Sequence, residues 1–153
     1  MRASRIAAAA GAAWLGALLA PGVASAHLRT GTVAVGYAAT VTSPASPAFT
    51  AQIYRSDLGV HLTVRPGHTV VVLGYLGEPF LRVGPAGVAV DGASPTAAAT
   101  GLVARGTAGG WRLRPGRSAT WHDGRVSRLR AGATSARWTI PLRVDGGRAT
   151  LGG

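Results

Sequence analysis

Four histidines, His27, His61, His68 and His122, are the side chains of this chain best suited to chemistry. Neutral imidazole binds transition metals, and it trades protons near neutral pH. His27 has added interest because Ala24-Ser25-Ala26, just before it, is the small-x-small pattern a signal peptidase accepts. Cleavage there would make His27 the N-terminus, and its amine and ring nitrogen could then chelate one ion together. One further histidine, with His122, His61 and His68 as candidates, would complete a T-shaped site suited to copper(II). There is no cysteine and the only methionine is Met1, so soft copper(I) ligation has no support. The four histidines show no metal-ligand spacing. His27 is more simply the first residue of a frayed terminus, so no cofactor is expected and copper is the alternative.

The remaining candidates are sparse. In Trp121-His122-Asp123 a strand would turn Trp121 to the core and His122 outward. Asp123 would then open an Asp123-Gly124 hairpin turn. Beside this plain reading stands a functional one, with His122 as a ligand or proton carrier at a sheet rim. Glu78 could pair with Arg82 or cap a turn, but no second acid lies near it in sequence. The whole chain has five acidic residues, which argues against paired-carboxylate hydrolysis and against a calcium cage. G-x-S-x-G, phosphate-loop and H-E-x-x-H patterns do not occur. The expectation is a protein that is not an enzyme.

Charge is the stronger signal. The formal net charge is +11, and every basic side chain other than histidine is arginine. Residues 27–104 carry four arginines against Asp57, Glu78 and Asp91, whereas residues 105–153 carry ten against Asp123 and Asp145. Arg112, Arg114 and Arg117, then Arg125, Arg128 and Arg130, are expected to gather around two adjacent strands and their turns. Such a face suits anionic partners, here an envelope polymer or lipid headgroups. The alternative is a merely solvated surface. No basic-aromatic nucleic-acid motif is present, so nucleic acid is not expected as a partner.

The elements that must hold these residues begin after a leader. Arg2 and Arg5, an apolar run from Ile6 to Ala20, the Pro21-Gly22 break and the cleavage pattern read as a signal peptide over residues 1–26. The run is shorter than the roughly 20 residues of a spanning helix. Export to the cell envelope or beyond follows, and residues 27–153 are long enough for one β domain with its own core. Strands are expected at Thr32–Val41, around Phe49–Ile53, Val60–Val64, Thr69–Tyr75, Phe80–Val83 and Val88–Val90, and later around Trp111, Trp121 and Trp138–Val144. Residues 91–110 read as a long loop with one helical turn at Thr96–Thr100. Asp145-Gly146 is a second hairpin signal. Pro141 argues for an edge strand. Roughly seven to nine short strands at this spacing predict an all-β antiparallel sandwich, immunoglobulin-like in general build.

Three stretches are more distinctive: Gly74-Tyr75-Leu76-Gly77-Glu78-Pro79-Phe80-Leu81-Arg82, Ser94-Pro95-Thr96, and Trp121-His122-Asp123 with Ile140-Pro141-Leu142-Arg143-Val144-Asp145-Gly146 after it. Together they resemble a family of exported actinobacterial proteins that has no established activity, and the resemblance covers most of residues 30–150. It implies export and a common framework built on Gly74, Tyr75, Gly77, Glu78, Pro79, Arg82, Trp121, His122 and Asp123. Members often continue into a C-terminal membrane helix, so the resemblance leaves open a soluble member or a product whose anchor lies beyond Gly153. Many also carry further histidines after Trp-His-Asp. Gly124, Arg125 and Ser127 stand there in this chain, which argues against carrying over a metal site.

Overall fold

Alternation between apolar and polar residues dominates the chain from Phe49 onward, and that period is what a half-buried strand requires. The computed structural model describes residues 36–43, 45–127, 129 and 132–153. The expected leader over residues 1–26, His27, Arg128 and Arg130 lie outside them. Nine strands and one short helix occur among the described residues: β1 (Phe49–Tyr54), β2 (Gly59–Val64), β3 (Val70–Leu73), β4 (Pro79–Gly84), β5 (Gly87–Asp91), α1 (Pro95–Ala99), β6 (Trp111–Arg114), β7 (Ser118–Trp121), β8 (Thr139–Val144) and β9 (Gly147–Gly152). They form a three-stranded sheet, β1-β2-β7, and a six-stranded sheet, β6-β5-β4-β3-β8-β9, antiparallel throughout. The two sheets pack as a sandwich, and the all-β expectation is met.

The core follows from register. Directly paired residues share a face, so Val60, Leu62, Val64, Ala119 and Trp121 of the small sheet face Val70, Val72, Leu81, Val83, Ile140 and Leu142 of the large one. All are essentially buried. A bulge between Val72 and Leu73 interrupts the β3–β4 register. It re-aims Phe80, which meets Trp121 edge-on with ring centroids 6.2 Å apart. This contact joins the two sheets at one end of the sandwich.

Local signals set several boundaries. Asp145 and Gly146 have φ of 49° and 85° and join β8 to β9, with Val144 opposite Gly147. Positive φ at both central residues is what a tight hairpin needs. Ser94 caps α1 by accepting the amides of Thr96 and Ala97, each at 3.1 Å, and Pro95 follows at the first helical position.

Three expectations change. Residues 36–41 of the strand expected at Thr32–Val41 hold no strand; residues 32–35 lie outside the described residues. The Ala39 amide donates to Ser56 O, and the Thr42 and Ser43 amides to Gly152 O, so this stretch makes isolated bonds and no ladder. Pro141 does not mark an edge, because β8 runs between β3 and β9. The β3 ladder stops at Val72 opposite Leu142, one residue short of the proline that cannot donate to it. Asp123-Gly124 is not a hairpin turn: β7 ends the small sheet, and the chain crosses over to β8 of the large one.

Candidate functional site

Gly74–Arg82, Ser94-Pro95-Thr96 and Trp121-His122-Asp123 meet at the end of the sandwich closed by Phe80 and Trp121, whereas Ile140–Gly146 runs along β8 to the other end, where Asp145 meets His68 and Thr69. Burial of the Trp121 indole N–H demands an acceptor, and Asp123 Oδ2 supplies it at 2.9 Å. That requirement explains why Asp123 is fully buried and does not lie exposed in a turn. Arg125 answers the buried carboxylate with Nε on Oδ1 and Nη2 on Oδ2, both at 2.8 Å. Its guanidinium also donates to Leu73 O at 3.1 and 3.2 Å and stacks over the Tyr75 ring at 5.0 Å. Tyr75 Oη in turn accepts the Gly124 amide at 2.9 Å. Burial raises the Asp123 pKa, and the hydrogen bonds and charge of Arg125, with the Trp121 indole, more than reverse this and hold it below the ordinary value. Asp123 and Arg125 thus tie β7 of one sheet to the end of β3 in the other.

Glu78 organises the adjoining turn. Its Oε1 accepts from Ser94 Oγ at 2.8 Å and the Thr96 amide at 3.3 Å, and its Oε2 accepts the Leu76 amide at 3.1 Å. It therefore caps turn and helix, and does not pair with Arg82, whose guanidinium lies 4.9 Å from the centre of the Trp111 ring. Burial pushes the Glu78 pKa up, but the bonds from Thr96, Ser94 and Leu76 bring it below the usual carboxylate range. A Cβ on Gly74 would run into Glu78 Oε1 and Thr96 Oγ1, and Gly77 turns at φ +82°. Among the described residues no buried side-chain polar atom lacks a partner, so Gly74, Tyr75, Gly77, Glu78, Trp121 and Asp123 form a structural knot.

The histidines are engaged separately. His122 is half-buried, and its Nδ1–H donates to Leu58 O, which fixes the proton on Nδ1 because a carbonyl only accepts. His61 bridges Thr120 Oγ1 (2.7 Å) and Thr63 Oγ1 (3.3 Å) on the outer face of the small sheet. His68 meets Asp145 at 2.7 Å. That bond, followed by the Thr69 amide at 2.8 Å, lowers the Asp145 pKa. Among the described residues no group of three or more histidines and carboxylates is placed to hold a metal ion. His27, on which the copper alternative depends, lies outside those residues.

The arginines divide differently from expectation. Arg112 and Arg114 are exposed on β6, opposite Val90 and Val88, whereas Arg117 is half-buried before β7. β6 edges the large sheet and β7 edges the small one, so these two strands are not neighbours in one sheet. Arg125 leaves the expected face altogether, because the buried Asp123 claims its charge. Arg128 and Arg130 lie outside the described residues. A different face appears on the solvent side of the large sheet. Register puts Leu113, Ala89, Arg82 and Val71 in one row, and Val71 pairs on its other side with Arg143, which faces Arg148. Trp111 lies on the same face, 41% exposed, and Leu113 is 62% exposed. Asp91, the acid on that face, accepts the Ala93 amide at 3.0 Å. Among the described residues Arg125 is the one arginine in an ion pair. Strand order β4-β3-β8-β9 builds this row from residues far apart in sequence. The one local signal was the alternation that sets Arg143 on the polar side of its strand.

Comparison with protein-family models, with curated proteins and with solved structures gives no match.

Proposed function

We propose that this protein is an exported, non-catalytic binding module that docks on anionic envelope material through the solvent face of its six-stranded sheet. One observation carries the reading: Arg82, Arg143 and Arg148 line up across four neighbouring strands with no acid paired to them among the described residues. A row of uncompensated positive charge on a rigid sheet attracts polyanions and holds them in a fixed register. The leader-like residues 1–26 support a destination outside the cytoplasm, and the family resemblance agrees with it. The knot around Asp123 and Glu78 serves as framework in this reading, consistent with a module that binds without chemistry.

The test is binding of the purified protein to inorganic polyphosphate and to phosphatidylglycerol-containing vesicles at low ionic strength. Binding that weakens steeply as salt is added is the expected result, since exposed charges are screened beyond about 10 Å at 0.1 M salt. Absence of binding to both probes at low salt contradicts the proposal.

A further inference from the structure

We infer that the anionic partner of this face is a bilayer surface, met by the arginine row together with Trp111 and Leu113 on the edge strand β6. The inference rests on the anionic-binding reading and narrows it. A charged polymer needs only cations in register. It gives no reason for a tryptophan and a leucine, 41% and 62% exposed, to share the face with Arg82, Arg143 and Arg148. A lipid surface uses both kinds of side chain. Anionic headgroups attract the guanidinium groups, and the interfacial layer accepts an indole, with its apolar body and polar N–H, and an aliphatic chain beside it. Arg82 stacked on Trp111 at 4.9 Å places a cation and an aromatic ring at one point of contact.

Two further observations favour lipid over a second copy of the chain. Arg112 and Arg114 project from the other face of the same edge strand, and like charges there oppose strand-to-strand pairing between copies. Residues 27–153 carry 14 arginines against five acids, and that excess of positive charge opposes self-association as well and favours a negatively charged plane. The Gly74–Glu78 turn, whose Leu76 is 80% exposed, closes the same end of the sheet as Trp111, since Leu73 pairs with Pro79 and Trp111 with Asp91. Leu76 and Trp111 therefore expose apolar surface at one end of the sheet, beside the arginine row.

The experiment compares three probes: phosphatidylcholine vesicles containing phosphatidylglycerol, phosphatidylcholine vesicles alone, and inorganic polyphosphate as a lipid-free polyanion. Co-sedimentation or column retention gives the affinities. Tryptophan emission gives an independent signal, with Trp111→Phe identifying the part due to Trp111. Wild-type protein binds the anionic vesicles with a blue shift that Trp111→Phe removes. The Trp111→Ser/Leu113→Ser variant loses at least about tenfold in vesicle affinity and retains its affinity for polyphosphate. Leu113→Ser alone, at the more exposed site, guards against a folding defect and shows a smaller loss in the same direction. Polyphosphate binding without vesicle binding overturns the bilayer inference and leaves the anionic reading standing. Equal vesicle binding by wild type and double variant also overturns it. No binding to any probe at low salt defeats both.

Discussion

Removing the Arg125 side chain tests whether the Asp123–Arg125 pair holds the sheets together. In Arg125→Ala the Asp123 carboxylate stays fully buried and keeps the Trp121 indole at 2.9 Å, with the residue-125 amide at 3.1 Å. It loses two charged contacts of 2.8 Å, and Leu73 O loses its donors at 3.1 and 3.2 Å. Breaking a buried pair by removing one partner costs about 3–5 kcal/mol, because the other charge is left uncompensated. Against a total of about 5–15 kcal/mol, that is a large fraction. At roughly 3 °C per kcal/mol for a domain of this size, the Tm should fall by about 10–15 °C. The pH dependence should also invert. In the wild type the Asp123 pKa is depressed, so its contribution is complete above the ordinary value of 3.8 and is lost as pH falls through the lower folded value. In the variant, burial acts without Arg125 and raises the pKa, so stability increases as pH drops from neutral toward 5. Urea titrations across that range give both quantities. A loss below about 1 kcal/mol with no inversion would refute the assignment of Arg125 to the knot, and a loss of anion affinity at full stability would return it to the docking face.

Other outcomes follow from the same geometry. Gly74→Ala forces a Cβ against Glu78 Oε1 and Thr96 Oγ1, and thermal denaturation should show a loss of about 1–3 kcal/mol, as for overpacking elsewhere. Glu78, like Asp123, has a lowered pKa, so Tm should hold above about pH 4.5 and fall below it, with a shallower fall in Glu78→Gln. The Tyr37 hydroxyl donates to Asp57 Oδ2 at 2.6 Å; that bond, with burial and the Asp57 charge, raises its pKa to about 12. A raised pKa means that the contribution is full below the ordinary value of 10.0 and is lost as pH rises through about 12. Ultraviolet titration should therefore show a late tyrosinate that Tyr37→Phe removes.

The sequence showed the sandwich because its strands are local. Val60, Leu62 and Val64 alternate and become the buried face of β2, and the helical turn expected at Thr96–Thr100 is α1 at Pro95–Ala99, whose Ser94 cap emerges only in the structure. The two Asp-Gly pairs show where locality ends. Asp145-Gly146 turns between β8 and β9, whose register carries the hairpin. Asp123-Gly124 has the same chemistry, but the buried Trp121 N–H two residues earlier recruits the carboxylate inward. The motif residues were visible as a set, yet their mutual satisfaction was not, because Glu78 meets Ser94 and Arg125 meets Leu73 only in three dimensions. The arginine row was hidden for the same reason. Counting charge along the chain pointed to residues 105–153, which do supply Arg143 and Arg148 from β8 and β9, but it left out Arg82 from β4 and favoured Arg112, Arg114 and Arg125, which do not join the row.

The most direct test of the docking face compares two charge-removing variants, Arg82→Gln/Arg143→Gln/Arg148→Gln and Arg112→Gln/Arg114→Gln, on phosphatidylglycerol-containing vesicles in a salt series. At about 1 kcal/mol for each arginine near an anionic surface, the triple variant should lose about a hundredfold in affinity at low salt and show a flatter salt dependence. The double variant, whose arginines lie on the opposite side of the edge strand, should lose only a few-fold. Equal losses in the two variants, or an unchanged affinity in the triple variant, would contradict the assignment of anion binding to the solvent face of the six-stranded sheet.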